Sequence, residues 1–273
     1  MTFEVGNRLP SAHSDSIWAV RWCHNAVITA GLDAQVKCWL PASLLDSAAD
    51  ATLAPISVFE GHSLAVVSIG VNPSGTMAAS SAMDGSIIVY DIKESKQVKK
   101  IDIGPTKNWS VSLVDQLLAT GALSKLAVGG SKGEAGLFDP ATGRLVENLE
   151  SHSKGIRCIE FAASDNNVLL TGSEDNSIGI FDVRTGHHIA SVSDHNNWVM
   201  GLTSHRTPSG VERFASCSSD KTVKLWDLRS HHPLHTFDKC HVDQITSVAF
   251  SPSGDELVSV SDDASIQLYH VPR

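Results

Sequence analysis

The sequence predicts an all-β fold assembled from six copies of one unit. A seven-residue segment that begins with Asp and ends with an aromatic residue recurs as DAQVKCW (33–39), DGSIIVY (84–90), DNSIGIF (175–181), DKTVKLW (220–226) and DASIQLY (263–269). A sixth copy, KGEAGLF (132–138), has Lys132 in place of the Asp. Successive aromatics are 51, 48, 43, 45 and 43 residues apart. A period near 40–45 residues is typical of a β-propeller blade of four short strands.

Each copy has the same internal order. A His is followed by an alternating strand such as IWAVRW (17–22), a turn such as SPSG (251–254), a second apolar strand, the Asp and a third strand. Alternation with a period of two between Gly, Pro, Asn and Asp residues indicates strands and hairpins. Six third strands are predicted at 36–40, 87–91, 135–139, 178–182, 223–227 and 266–270. No segment has the composition of a linker, so residues 1–273 are predicted to form one domain.

Composition and charge argue against nucleic-acid binding, a membrane span and secretion. The chain has 273 residues and a net charge of −9, which makes it a poor general binder of nucleic-acid backbones, because that affinity comes from Lys and Arg. We expect no direct nucleic-acid contact and, because no apolar run reaches the length of a membrane helix, no membrane span. The N-terminus lacks the pattern of a secretory signal. Cys38, Cys158 and Cys217 lie in apolar strands, and free thiols of this kind indicate a reducing compartment inside the cell.

The repeated text resembles the WD40-repeat family over essentially the whole chain. The segments GHSLAVVSIGVNPSGTMAASSAMDGSIIVYD (61–91) and SCSSDKTVKLWDL (216–228) carry the resemblance most clearly. The resemblance implies a WD40 β-propeller in which the N-terminal strand, TFEVGNRL (2–9), completes the last blade and closes the ring. Closure removes the exposed sheet edges that favour aggregation.

In that family the His, a Ser or Thr, the Asp and the aromatic of one blade form a hydrogen-bonded tetrad. Two complete sets are expected here: His13, Thr29, Asp33 and Trp39, and His195, Ser216, Asp220 and Trp226. Tyr90 and Tyr269 replace the aromatic in the second and sixth copies, and Phe181 shortens the network in the fourth. The third copy has no tetrad. Ser, His and Asp also make up a hydrolase triad, but a set that recurs in several blades is structural, so we predict no catalytic residues and no enzyme activity.

Within the family, several segments are similar to the WD-repeat subunit of the superkiller complex, which is shared with the Paf elongation complex. They include AHSDSIWAVRW (12–22), KKIDIGPTKNW (99–109) and VSVSDDASIQLYH (258–270). The resemblance implies a non-catalytic scaffold in cytoplasm and nucleus, acting in 3′–5′ mRNA decay, in transcription elongation or in both. The implied partners are tetratricopeptide-repeat and helicase subunits, or Paf complex subunits. That subfamily has seven blades, whereas only one blade fits between Tyr90 and Phe138. We predict six blades, with a seven-bladed ring containing one irregular blade as the alternative.

Two further sequence patterns, Arg-ending motifs and adjacent His pairs, have simple structural explanations. FDVR (181–184) and WDLR (226–229) resemble the motif of substrate receptors of cullin-type ubiquitin ligases, in which Arg184 and Arg229 would contact the adaptor; capping of their own hairpins is the simpler role. The pairs at 187–188 and 231–232 are adjacent His residues, which point to opposite faces of a strand and chelate metal poorly. No metal site and no cofactor are predicted.

The sequence also predicts a partner-binding surface on one face of the ring. In WD40 rings the loop before the first strand and the loop between the second and third strands lie on one face, called the top. Apolar residues at these positions, and Trp above all, suggest a binding patch. The residues predicted to form it, with Arg157 and Asp262 as its polar rim, are Trp18, Leu32, Val67, Met83, Arg157, Trp198, Met200 and Asp262.

Overall fold

Six antiparallel sheets make up the computed structural model. It describes residues 12–23, 26–39, 54–104, 109–118, 121–150, 152–163, 165–206, 210, 212–230, 232–251 and 253–271, with only the backbone described at 115–118 and 121–124. No described residue is helical, so none belongs to a helix that could cross a membrane. The prediction of an all-β propeller with six blades is confirmed. The predicted closing strand (2–9) lies outside the described residues.

The blades follow one another along the chain, and each runs from an inner strand to an outer one. Blade 1 contains β1 (Ile17–Cys23), β2 (Ala26–Gly31), β3 (Val36–Trp39) and β4 (Ser57–Phe59). Blade 2 contains β5 (Val66–Val71), β6 (Met77–Ala82), β7 (Ser86–Asp91) and β8 (Lys96–Asp102). Blade 3 contains β9 (Ser110–Leu118), β10 (Gly121–Gly129), β11 (Glu134–Phe138) and β12 (Leu145–Glu150).

The second half of the chain repeats the plan. Blade 4 contains β13 (Ile156–Phe161), β14 (Val168–Ser173), β15 (Ile178–Asp182) and β16 (His187–Val192). Blade 5 contains β17 (Val199–Arg206), β18 (Glu212–Ser218), β19 (Val223–Asp227) and β20 (His235–Phe237). Blade 6 has three described strands, β21 (Ile245–Phe250), β22 (Glu256–Ser261) and β23 (Ile266–His270).

Blade 3 shows why only one blade fits between Tyr90 and Phe138. Within this interval the nine residues of β9 pair antiparallel with the nine of β10 in a single sheet. Pairing runs without interruption from Ser110 opposite Gly129 to Leu118 opposite Gly121. Both strands therefore belong to one blade, and the described residues contain no seventh sheet.

Packing between neighbouring blades forms the core. The inner strands contact one another in succession, β1 with β5, β5 with β9, β9 with β13, β13 with β17 and β17 with β21. At each contact apolar residues from one blade face those of the next; for example Ile245 and Val248 of blade 6 pack with Cys217 and Val223 of blade 5. Each blade between two others is thus apolar on both faces.

Candidate functional site

The repeated polar residues of blade 1 form a continuous hydrogen-bonded chain across the sheet. The indole Nε1–H of Trp39 donates to Thr29 Oγ1 at 2.8 Å, and Thr29 Oγ1 lies 2.8 Å from Nε2 of His13. The Nδ1 atom of His13 is 2.9 Å from the Asp33 carboxylate. Because a carboxylate only accepts hydrogen bonds, Nδ1 carries the proton and Nε2 accepts from the threonine hydroxyl.

Blade 5 has the same arrangement with Ser216 in place of the threonine. Trp226 Nε1–H donates to Ser216 Oγ at 2.8 Å, Ser216 Oγ is 2.7 Å from His195 Nε2, and His195 Nδ1 is 2.9 Å from Asp220. The Asp220 carboxylate also accepts from the backbone N–H of Asn196 and of Thr222. It thereby ties the loop before the inner strand to the turn before the third strand.

The other blades show what each substitution changes. Tyr90 Oη and Tyr269 Oη lie 2.9 Å from the serine hydroxyls of their own blades, so tyrosine maintains the chain. Phe181 has no such group, and the blade 4 network ends at Thr171, 2.7 Å from His152. Blade 3 has buried Val128 at the hydroxyl position and exposed Lys132 at the Asp position. In the blades that have them, the His, hydroxyl and Asp groups hydrogen-bond to one another and join strands of the same sheet.

Blade 2 differs in its electrostatics. His62 Nδ1 is 3.8 Å from Asp84, and Ser86 Oγ lies between them, 2.7 Å from the imidazole and 2.6 Å from the carboxylate. Burial lowers the pKa of His62 to about 4, an effect that nearby Asp84 opposes and Lys100 adds to. His62 is therefore neutral near pH 7.

A recurring bulge shapes the inner strands. In five of them the register shifts by one residue at the second position, between Ile17 and Ala19 in blade 1 and at the equivalent places in blades 2, 4, 5 and 6. A bulge leaves one residue unpaired and re-aims its side chain. The five bulged residues are Trp18, Val67, Arg157, Met200 and Thr246, and all of them line one cavity of about 670 Å³. We call these residues the bulge ring.

The loops around the bulge ring are joined in the same way in five blades. The residue before the Asp donates its N–H to a carbonyl in the loop before the inner strand, as Leu32 does to Ser16 and Met83 to Ala65, each at 2.9 Å. Glu174, Ser219 and Asp262 make the equivalent bonds at 2.9, 3.0 and 3.1 Å. Both sets of loops therefore lie at one end of the sheets.

The Arg157 side chain of blade 4 contacts Trp residues of blades 3 and 5 at this surface. The Arg157 guanidinium lies 3.8 Å from the centroid of the Trp109 ring and 5.0 Å from that of Trp198. Its Nε donates to Glu174 Oε1 at 2.7 Å, and a second contact to that oxygen measures 2.6 Å. Stacking on two indoles and pairing with a carboxylate hold the side chain in one orientation. The result is a rigid, mixed aromatic and polar platform.

The structure places the predicted top-face residues as follows. Trp18, Val67, Arg157 and Met200 come together in the bulge ring. Leu32, Met83 and Trp198 are exposed in the adjoining loops. Asp262 is exposed and accepts from Gln244 Nε2 at 2.5 Å. In contrast, Ala65, the third residue after His62, and Ser110, at the blade 3 position equivalent to the bulged residues, are buried.

Sequence reasoning missed Trp109, the second stacking partner of Arg157. In the other blades the bulged residue is the fifth after the His, whereas the equivalent residue of blade 3, Ser110, pairs regularly with Gly129 and is buried, because this inner strand has no bulge. The available signal was the Trp itself, next to the inner strand in KKIDIGPTKNW (99–109).

The remaining candidate residues have local roles. Arg184 and Arg229 are largely exposed and pair with Asp182 and Asp227, each two residues earlier, so both cap their own hairpins. His187 and His188 are exposed at the start of β16, and His188 Nε2 lies 2.8 Å from Ser191. The described residues contain no group of three or more His, Cys, Asp or Glu side chains placed to hold a metal.

Comparisons with known proteins agree with the repeat. Residues 120–273 match the model of the Nucleolar protein 10-like N-terminal β-propeller domain, and residues 53–91 match the WD domain, G-beta repeat. WD repeat-containing protein SL1-17 of Schistosoma mansoni is 30% identical over 94% of this chain and 96% of its own length. Superkiller complex protein 8 of Dictyostelium discoideum is 29% identical over 98% of both chains. The Ribosome biogenesis protein WDR12 homolog of Chlamydomonas reinhardtii is 25% identical over 95% of this chain, which spans 65% of that relative.

Proposed function

Because the chain belongs to the family of WD40-repeat β-propellers, we propose that it is a non-catalytic scaffold that holds other proteins in a complex. The observation that carries this proposal is the convergence of the bulge ring on one cavity, beside the exposed indole of Trp198. Trp and Arg are enriched among binding hot spots, and flexible Met side chains suit peptide recognition. The surface offers all three residue types.

The platform indicates the kind of segment that it binds. Arg157 already has two indoles and a carboxylate as partners, so a ligand meets a preorganised surface and little side-chain entropy is lost on binding. Trp18, Val67 and Met200 supply the apolar part of the cavity. A short partner segment with one or two apolar anchors and flanking polar residues fits this pattern.

For the complex itself, we propose the superkiller complex in mRNA decay, the Paf complex in transcription elongation, or both. Superkiller complex protein 8 supports the first, since it resembles this chain from end to end. The proposed partners are the tetratricopeptide-repeat and helicase subunits, or Paf subunits, and the proposed location is cytoplasm and nucleus. The match to the Nucleolar protein 10-like domain and the resemblance to the WDR12 homolog favour a second candidate, a scaffold in ribosome assembly.

The test is capture of partners by the full chain and by a Trp18→Ala, Trp198→Ala double variant, with identification of the subunits by mass spectrometry. If the two indoles are hot spots, each substitution costs roughly 2 kcal/mol, about thirtyfold in Kd for the direct partner. Val146→Ala is the matched control, because it removes an exposed apolar side chain from the outer strand β12. It should bind as the parent does.

The outcomes separate the candidates. Recovery of superkiller or Paf subunits supports the first proposal, and recovery of ribosome-assembly factors supports the second. Recovery of a ligase adaptor alone would exclude both. Unchanged affinity of a double variant that folds normally by circular dichroism would place the binding site away from the bulge ring.

A further inference from the structure

The first and last blades each have a face that lacks the cover found on the equivalent faces of other blades. For blade 6, the missing cover is seen at the third residue after the Asp of the repeat (in blade 3, after Lys132). In blades 1 to 5 this residue is at most 1% exposed, whereas Ile266 is 73% exposed. Val223, its equivalent in blade 5, is covered by Ile245 and Val248 of the next blade. No described blade covers Ile266 in that way.

Blade 1 lacks cover on its opposite face, where other blades pack against the blade before them. The first residue of the bulged inner strand packs against the preceding blade, and in blades 2, 4, 5 and 6 it is fully buried. Its equivalent in blade 1, Ile17, is 47% exposed. Val20, three residues on, is 53% exposed, whereas its equivalents in those four blades are at most 8% exposed. Blade 1 therefore has the apolar face of a blade that follows another, without that neighbour.

Residues of both blades also reach the central cavity, which the bulge ring lines. Val20 of blade 1 and Val258 and Val260 of blade 6 line one cavity. Val260 pairs directly with Ile266, so both side chains lie on the same face of blade 6. Yet β1 and β21, which are fully described, lack the extensive packing that joins every other successive pair of inner strands. We call these two faces the seam; its residues are Ile17, Val20, Val258, Val260 and Ile266.

We propose that the seam binds a β-sheet of a partner protein, which stands between blades 6 and 1 as a further blade. The contacts between neighbouring blades inside the ring support this proposal. The uncovered residues are β-branched, and their equivalents at the interface between blades 5 and 6 pack across that interface. The matching occupant is therefore a sheet that is apolar on both faces, which excludes a helix or an extended polar peptide.

Charge distinguishes a partner from a second copy of this chain. The net charge is −9, and Asp243 and Asp262 are exposed in blade 6, just before β21 and just after β22. Two copies would bring like charges together, which opposes association. On the blade 1 side Arg21 follows Val20 and also lines the cavity. A partner sheet whose edge toward blade 6 carries basic residues would contact the acidic residues of blade 6 without repulsion.

The first experiment supplies a sheet of known sequence. A second copy of residues 193–237, which contain the four strands of blade 5, is appended after Arg273 through a flexible Gly-Ser linker, so that its effective concentration is high. Amide hydrogen exchange in β1 and β23 should slow at least tenfold, and the melting temperature should rise. The same extension on a Val20→Asp, Ile266→Asp variant is the control and should give no protection. Unchanged exchange in the extended parent chain would overturn the proposal.

The second experiment identifies the natural occupant. The photo-reactive residue p-benzoylphenylalanine replaces Ile266, and the full chain is cross-linked within its purified assembly. We expect cross-links to a β-strand segment of a partner subunit. Cross-links to blade 1 of the same chain, to a second copy, or to nothing would each overturn the proposal. The Trp18→Ala, Trp198→Ala variant should give the same cross-links, so failure at the bulge ring and failure at the seam are distinguishable.

Discussion

At the scale of single residues, the Asp of each repeat connects three parts of its blade. In blade 5 the Asp220 carboxylate binds the imidazole of His195, the backbone after that His, and the N–H of Thr222 in the turn. The turn residue that follows has a left-handed backbone in all six blades, including Lys221 at φ 70°. A non-Gly residue in that conformation is strained, and the carboxylate bonds on either side of it hold the turn in place.

Asp220→Ala should therefore destabilise the fold by about 2–4 kcal/mol, because it leaves several buried donors without acceptors. Hydrogen bonds from His195 and its neighbours hold the pKa of Asp220 well below its usual range despite burial, which shows the preference for the charged form. Urea denaturation measures the change. Lys132→Ala, at the exposed equivalent position of blade 3, is the matched control and should stay within about 0.5 kcal/mol of the parent. Equal stability of the two variants would contradict a bracing role for Asp220.

His62 makes the stability pH-dependent in a specific window. Its pKa is lowered to about 4 in the folded chain and is about 6.5 in the unfolded chain. Between these values the unfolded state binds more protons, so the free energy of unfolding falls as the pH drops from about 6.5 to about 4. The loss attributable to His62 is at most about 3 kcal/mol.

The measurement is urea denaturation of the parent and of His62→Gln at several pH values from 7.5 to 4.5. The variant should be less stable at pH 7.5, because contacts to Ser80 and Ser86 are lost. Its stability should nevertheless fall less steeply with acidification, so the difference between the two proteins narrows toward pH 4.5. Parallel curves would show that His62 does not titrate in this window.

At the scale of the strands, one position of the second strand decides how closely two blades approach. Gly172 of β14 faces Val199 of blade 5 and Cys158 of its own blade. A Cβ there would lie 2.5 Å from the Cys158 sulfur and 2.6 Å from a Val199 methyl carbon. The glycine is required by packing, since its backbone is that of an ordinary strand.

Gly172→Ala should destabilise the chain by about 1–3 kcal/mol, because blades 4 and 5 must separate to admit the methyl group. Thermal unfolding followed by circular dichroism measures the effect. Val260 occupies the equivalent position in blade 6, on the uncovered face of the seam, so Val260→Leu is the control and should be tolerated. A destabilised Val260→Leu protein would indicate that the seam is already filled in the isolated chain.

At the scale of the whole molecule, two surfaces have different origins. The bulge ring collects one side chain from each of five blades, with Trp109 from the remaining one, at the mouth of the central cavity. The seam exists because the inner strands of the first and last blades lack the packing that joins the other neighbouring blades. We keep the proposal that residues 1–273 form one domain whose N-terminal strand completes blade 6. Because His13 is held in blade 1 by Thr29 and Asp33, a strand at 2–9 in blade 6 would bring blades 6 and 1 together. This closure and a partner sheet at the seam therefore exclude each other, and the cross-links from position 266 decide between them.

Much of this architecture was determined by the sequence alone, because local chemistry repeats with the period of a blade. The alternating strands, the turns and the Asp-to-aromatic segments predicted the third strands to within a residue, as at 223–227 for β19. Six copies predicted six sheets. These features depend on residues near one another in the chain, for which spacing is sufficient evidence.

Contacts between blades were decided only by the tertiary structure. The repeat spacing gave no indication of Trp109, because the position equivalent to the bulged residues in blade 3 is Ser110, which is regularly paired and not bulged. The stacking of Arg157 between indoles of two other blades depends on side chains that are 41 and 48 residues away along the chain. Ile266 and Val223 follow the same sequence pattern, yet one is exposed and the other buried. A repeat specifies the apolar faces of each blade, but burial depends on whether another sheet stands against that face.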